Sequence, residues 1–134
     1  MRATSLTWPG GEHDFMLTID LLRALQDRCD AGPPHILERL SMRRWMVSDV
    51  IETIRLGLEG GGISKEEARK LVRQFVEERP LTESVMTAQA VLMLALFGAA
   101  DDQPGEMKAG GESQILTRSP EENGGSPTSI DGAV

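Results

Sequence analysis

Val47-Ser48-Asp49-Val50-Ile51-Glu52-Thr53-Ile54-Arg55-Leu56-Gly57-Leu58-Glu59-Gly60-Gly61-Gly62 is the stretch that decides the fold. Val47, Val50, Ile51, Ile54 and Leu58 fall at i, i+3, i+4, i+7 and i+11, which places them on one face of a helix. Ser48 is the candidate N-cap, and Asp49 suits the positive end of the helix dipole. The three glycines then read as a helix stop.

Working toward the C-terminus, Ser64-Lys65-Glu66-Glu67 fits a capping box, with Ser64 as N-cap and Glu67 three residues on. Ala68, Leu71, Val72, Phe75 and Val76 continue as one apolar stripe, and Pro80 closes it. A last helix is expected from about Thr82 to Phe97. Its second half, AVLMLALF, is apolar all round, the pattern of a helix buried in a core or covered by a partner. Residues 101–134 are rich in Gly, Ser, Pro, Glu and Asp and hold one apolar pair, Ile115-Leu116. Such a segment buries too little surface to offset its ordering entropy, so disorder is expected there.

Toward the N-terminus, residues 4–20 read as a β-hairpin. Ser5-Leu6-Thr7-Trp8 is one strand, Pro9-Gly10-Gly11 the turn, and Phe15, Leu17 and Ile19 the alternating apolar set of the second strand. Asp20 is the expected cap of a helix from Leu21 to about Cys29, ended by Ala31-Gly32-Pro33-Pro34. A short helix from His35 to about Leu40 follows. The expected fold is therefore mainly α with a short N-terminal β-hairpin, a small α+β domain of four to five helices over residues 1–98. An acidic tail occupies 99–134.

Composition supports helices. Only two Trp, three Phe and no Tyr are present, so the core must come from Leu, Ile, Val, Met and Ala. The net charge of −7 is uneven: residues 1–100 hold 14 acids against 12 bases, whereas the remainder holds 7 against 2. An acidic chain gains nothing from counterion release, which argues against nucleic acid as primary partner. The longest apolar run, residues 90–97, is too short for a membrane span. With a single cysteine and no signal-like N-terminus, a cytoplasmic location in the producing bacterial cell is expected.

No catalytic constellation emerges. His13, Asp14, Asp20, His35 and Cys29 match no metal-ligand spacing, and neither metal nor cofactor is expected. Cys29 reads as a structural thiol. Gly60-Gly61-Gly62 before Ile-Ser-Lys lacks the order of a phosphate loop. Arg39, Arg43 and Arg44 beside Trp45 form a basic cluster, either a solvated face or a contact for an acidic segment. Met42, Met46, Met86 and Met93 offer pliable apolar surface. The candidate partner-binding surface is Met86, Val91, Leu92, Met93, Leu96 and Phe97, which also admits a homo-oligomer. A second reading takes the two helices around Gly60-Gly61-Gly62 as a small regulatory helix-turn-helix protein that binds DNA.

Gly11-Glu12-His13-Asp14-Phe15-Met16-Leu17-Thr18-Ile19-Asp20, followed by Leu22-Arg23-Ala24-Leu25-Gln26, resembles the opening of the gene-transfer-agent and phage tail assembly chaperone family. Residues 47–62 are similar to that family's D-V-x-x-V/I-x-R-x-G-L-x-G-G-G segment. Glu67-Ala68-Arg69-Lys70-Leu71-Val72 and Ala95-Leu96-Phe97-Gly98 also fit, so the likeness covers roughly residues 10–98. It implies a non-catalytic tail protein, encoded between tail tube and tape measure genes. It also implies a role in holding the tape measure protein soluble during tail morphogenesis, with the tail tube protein as a further partner.

Overall fold

In the computed structural model, residues 2–99 are described. The tail expected to be disordered, with Ile115-Leu116, lies outside them. The chain opens with an antiparallel hairpin, β1 (Thr4–Trp8) and β2 (Gly11–Phe15), paired from Thr4 opposite Phe15 to Trp8 opposite Gly11. Five helices follow: α1 (Ile19–Cys29), α2 (Pro33–Ser41), α3 (Val47–Gly60), α4 (Lys65–Val72) and α5 (Val85–Phe97). A π turn, Arg73–Glu77, extends α4, and a 3-10 turn, Leu81–Ser84, leads into α5. The expected architecture of a hairpin and four to five helices is the one found.

Several local expectations are corrected. The second strand is residues 11–15, because the hairpin closes through the two-residue loop Pro9-Gly10. Phe15 and Leu17 are buried as the alternation requires, but Ile19 is 60% exposed in the first turn of α1. The cap of α1 is Thr18, whose Oγ1 accepts from Leu21 N at 3.2 Å, and Asp20 is the second residue of the helix, within its first turn. Helix α2 starts at Pro33, two residues before the expected His35. Proline suits a first-turn position because its missing N–H would have no helical partner there. Helix α3 is capped around Met46, not Ser48: Asp49 Oδ2 accepts from Met46 N at 2.8 Å. Ser64 is the N-cap expected of it, accepting from Glu67 N at 3.1 Å. The stripe ending before Pro80 passes from α to π geometry at Arg73, and the first three residues of the expected last helix form the 3-10 turn.

Among the described residues the central element is α3, with α1, α4, α5 and the hairpin packed around it. Buried residues run unbroken from Thr53 to Leu58, so α3 is enclosed on faces that its apolar stripe did not mark. Helix α5, apolar throughout its second half, is not enclosed. Ala88, Val91 and Leu92 enter the core, whereas Met86 is 79% exposed and Phe97 63%. Trp8 anchors the hairpin, edge-on to Phe15 and Phe75, with its Nε1–H donating to His13 Nδ1 at 2.9 Å. That bond requires the imidazole tautomer with an unprotonated Nδ1.

Candidate partner-binding surface

The residues of the 47–62 stretch prove to be scaffold. Asp49 is fully buried and joins three helices. Its Oδ1 accepts from Arg39 Nη2 at 2.7 Å and its Oδ2 from Arg39 Nε at 3.0 Å. Arg39 also donates to the Cys29 carbonyl at 3.3 Å, so the end of α1, α2 and the start of α3 meet at one bidentate ion pair. Burial, with the Asp49 charge as a second cause, pushes the Cys29 thiol up to about 12. A thiol held protonated in this way is a poor nucleophile, as expected of a structural cysteine. On the other side of α3, Arg55 is held between Glu52 and Glu59, and Glu52 also meets Arg28 of α1 at 3.4 Å.

The glycines of this stretch do more than stop a helix. A Cβ on Gly60 would lie 1.8 Å from the Met16 carbonyl oxygen, and one on Gly61 would lie 1.9 Å from that of Asp14. A Cβ on Gly57 would meet Val91 Cγ1 at 2.8 Å and Phe15 Cδ1 at 3.0 Å. Met16 N donates to Gly57 O at 3.0 Å. The chain leaving the hairpin therefore lies directly on the bare backbone of α3. Helix α3 reaches Gly60, and Gly61 retains right-handed helical geometry. Gly62, at φ +116°, is the residue that needs a glycine's backbone freedom.

Thr53 of α3 is fully buried, its Oγ1 without a hydrogen-bond partner.

Exposed large apolar side chains lie at Ile19, at Met42, Met46 and Val47, and along a seam between α2 and α5. The two helices run antiparallel there: Pro34 and Leu37 lie near Leu96 and Phe97, while Leu40 and Ser41 lie near Val85 and Gln89. Along α5, Met86, Gln89, Met93 and Phe97 fall at i, i+3, i+7 and i+11, one stripe. Along α2, Pro34, Leu37, Glu38 and Ser41 form the facing stripe. Two hollows follow the seam and meet at Ser41, whose Oγ accepts from Gln89 Nε2 at 3.1 Å. Trp45 and Arg43 complete one end.

Of the six surface candidates, Met86, Met93 and Phe97 are exposed on this stripe, and Leu96 is half-buried in the groove wall. Val91 and Leu92 are 2% and 0% exposed and belong to the core. Periodicity could not separate the two sets, because α5 has no polar face to orient it. The basic cluster divides as well. Arg39 is spent on Asp49, whereas Arg43 and Arg44 are exposed, and among the described residues neither has an ion-pair partner within 4 Å.

Residues 2–98 match the family described as phage tail tube protein, GTA-gp10. The chain belongs to that family. It is a phage or gene-transfer-agent tail protein, and the matched region closes one residue after the end of α5. No curated protein and no solved structure matches it. Among the described residues, no helix of this tail protein is long and apolar enough to cross a membrane, and no group of three or more His, Cys, Asp and Glu is placed to hold a metal ion.

Proposed function

We propose that this tail protein is a non-catalytic assembly chaperone that binds helical segments of the tape measure protein before the tail tube surrounds them. The observation that carries the reading is the uncovered apolar stripe of α5, Met86, Met93 and Phe97, beside the half-buried Leu37 and Leu96. A Met-rich groove between helices suits an amphipathic helical client, because thioether side chains repack around varied shapes. A binding role is also favoured by how the most reactive side chains are used. The Cys29 thiol is buried beside Asp49, and His13 accepts the Trp8 indole N–H.

The test is co-expression of the tape measure protein with and without this chain. Expected is a larger soluble fraction of tape measure and a complex that survives size-exclusion chromatography. Unchanged solubility with no co-elution would refute the reading. The family description favours a second reading, a subunit of the tail tube itself. Rings or tubes formed by the purified chain alone in negative-stain micrographs would establish it. A DNA-binding role is disfavoured by α4, whose exposed first turn carries Glu66 and Glu67 beside Lys65.

A further inference from the structure

The groove between α2 and α5 is electrically asymmetric. Its Met86 end is bordered by Arg43 and Trp45, and Arg43 has no ion pair among the described residues. Arg44 lies elsewhere, lining a separate hollow with His35, Glu38, Arg39 and Met42. The Phe97 end of the groove is bordered by Glu38, whose carboxylate lies 3.4 Å from His35 Nδ1. Between the ends the walls are apolar except for the Ser41–Gln89 hydrogen bond. From Met86 to Phe97 the floor spans about 16 Å at 1.5 Å per residue, the length of about three helical turns.

From this asymmetry we infer that the groove takes one amphipathic helix in one orientation. The bound helix sets its C-terminal end, bearing carboxylates, against Arg43 and its N-terminal end beside Glu38. The inference rests on the chaperone reading for its choice of client and refines it to a site, a charge pattern and a direction. Two effects act together. A helix ends in unpaired carbonyls carrying about half a negative charge, and begins in unpaired N–H groups of opposite sign. Carboxylates in its last turn add full charges at the cationic end of the groove. Both favour the same direction, antiparallel to α5. The apolar stripe supplies affinity without direction, and the charged ends supply direction.

The probe is a fluorescein-labelled amphipathic peptide of about 14 residues, roughly the groove length plus a turn, with a Leu stripe and two Glu in its last turn. Its partner peptide carries two Lys there instead. Fluorescence anisotropy at low salt reads binding to the full chain. Expected is about three- to tenfold tighter binding of the Glu-ended peptide, the scale of one or two charge–dipole contacts. Arg43→Glu should reverse that preference. Met86→Glu and Phe97→Glu change exposed side chains, so the fold should persist by circular dichroism while both peptides lose binding. A spin label on the peptide's C-terminus should broaden the Trp45 indole resonance more than one on its N-terminus.

Equal affinity for the two peptides, or binding unaffected by Met86→Glu and Phe97→Glu, overturns the assignment. So does self-association of the chain through this face, abolished by the same variants, with no peptide bound. The two levels separate cleanly. If those variants still solubilise the tape measure protein, the groove is wrong and the chaperone reading stands. If the native chain fails to hold tape measure yet binds the Glu-ended peptide directionally, the groove stands and its client is another helix.

Discussion

Replacing Gly60 by alanine separates two physical readings of the same glycine. If Gly60 serves only to end α3, alanine should be tolerated or favoured, since Ala gains about 1 kcal/mol over Gly inside a helix. The structure demands the opposite. The new Cβ would lie 1.8 Å from the Met16 carbonyl oxygen and 2.8 Å from Leu21 Cδ1. A relaxed carbon–oxygen contact needs about 3.3 Å, so the backbone at Met16 must retreat by about 1.5 Å. That backbone cannot move alone. Met16 N donates to Gly57 O, and its neighbours Phe15 and Leu17 are 2% and 1% exposed. Losing the hydrogen bond costs about 1 kcal/mol, and overpacking costs about 1–3 kcal/mol or more. Partial withdrawal of Phe15 and Leu17 adds a fraction of the roughly 3–5 kcal/mol that truncating either would cost. Against the helix gain, the expected net loss is about 2–5 kcal/mol. For a folded unit of this size that lowers Tm by roughly 10–30 °C.

The assay is guanidinium denaturation followed by tryptophan fluorescence, with amide exchange of the hairpin as a second readout. Gly32→Ala is the control, since its Cβ meets only Pro34 Cδ at 3.9 Å, and it should cost under about 1 kcal/mol. A Gly60→Ala variant as stable as the native chain would refute the docking argument and restore the simple helix-stop reading.

Three further outcomes follow from the core. Arg39→Leu strands a fully buried Asp49 carboxylate and should cost about 3–5 kcal/mol, whereas the Arg39→Leu/Asp49→Leu double variant should recover part of that loss in the same denaturation assay. Thr53→Val removes a buried hydroxyl without a partner and should raise stability by about 1 kcal/mol, read as a higher denaturation midpoint at unchanged slope. Burial raises the Cys29 thiol from its ordinary 9.0 to about 12 in the folded chain, so the unfolded chain releases that proton first. This contribution to stability is therefore intact below pH 9 and declines as pH rises from 9 toward 12. A Cys29→Ala variant should show a smaller decline over that window, and native Cys29 should resist thiol reagents at pH 8 until the chain is unfolded.

The extent to which the fold was legible depended on whether a signal was local. The spacing of Val50, Ile54 and Leu58, the Ser64 cap and the exit at Pro80 all concern residues within a turn or two of one another, and each places a helix where one stands. The hairpin turn was legible because Pro-Gly suits a tight loop, yet its second strand was set four residues too late. The alternation of Phe15, Leu17 and Ile19 continues through a segment that is extended at Phe15 and helical by Ile19. Thr18 took the cap position from Asp20 for the same reason: the geometry where extended chain turns into helix decides which oxygen reaches the free N–H.

By itself the sequence determined that this protein has a small helical domain with an N-terminal hairpin and carries a tail-protein wording in its central segment. Those properties reside in periodicity, capping and composition, which are written along the chain. Only the tertiary structure decided what the glycines, Asp49 and Arg39 are for, because each acts on a residue at least ten positions away. It also divided the largely apolar α5 into a buried face at Ala88, Val91 and Leu92 and an open one at Met86, Met93 and Phe97. A helix with no polar face carries no internal mark of its inside. That mark comes from what packs against it.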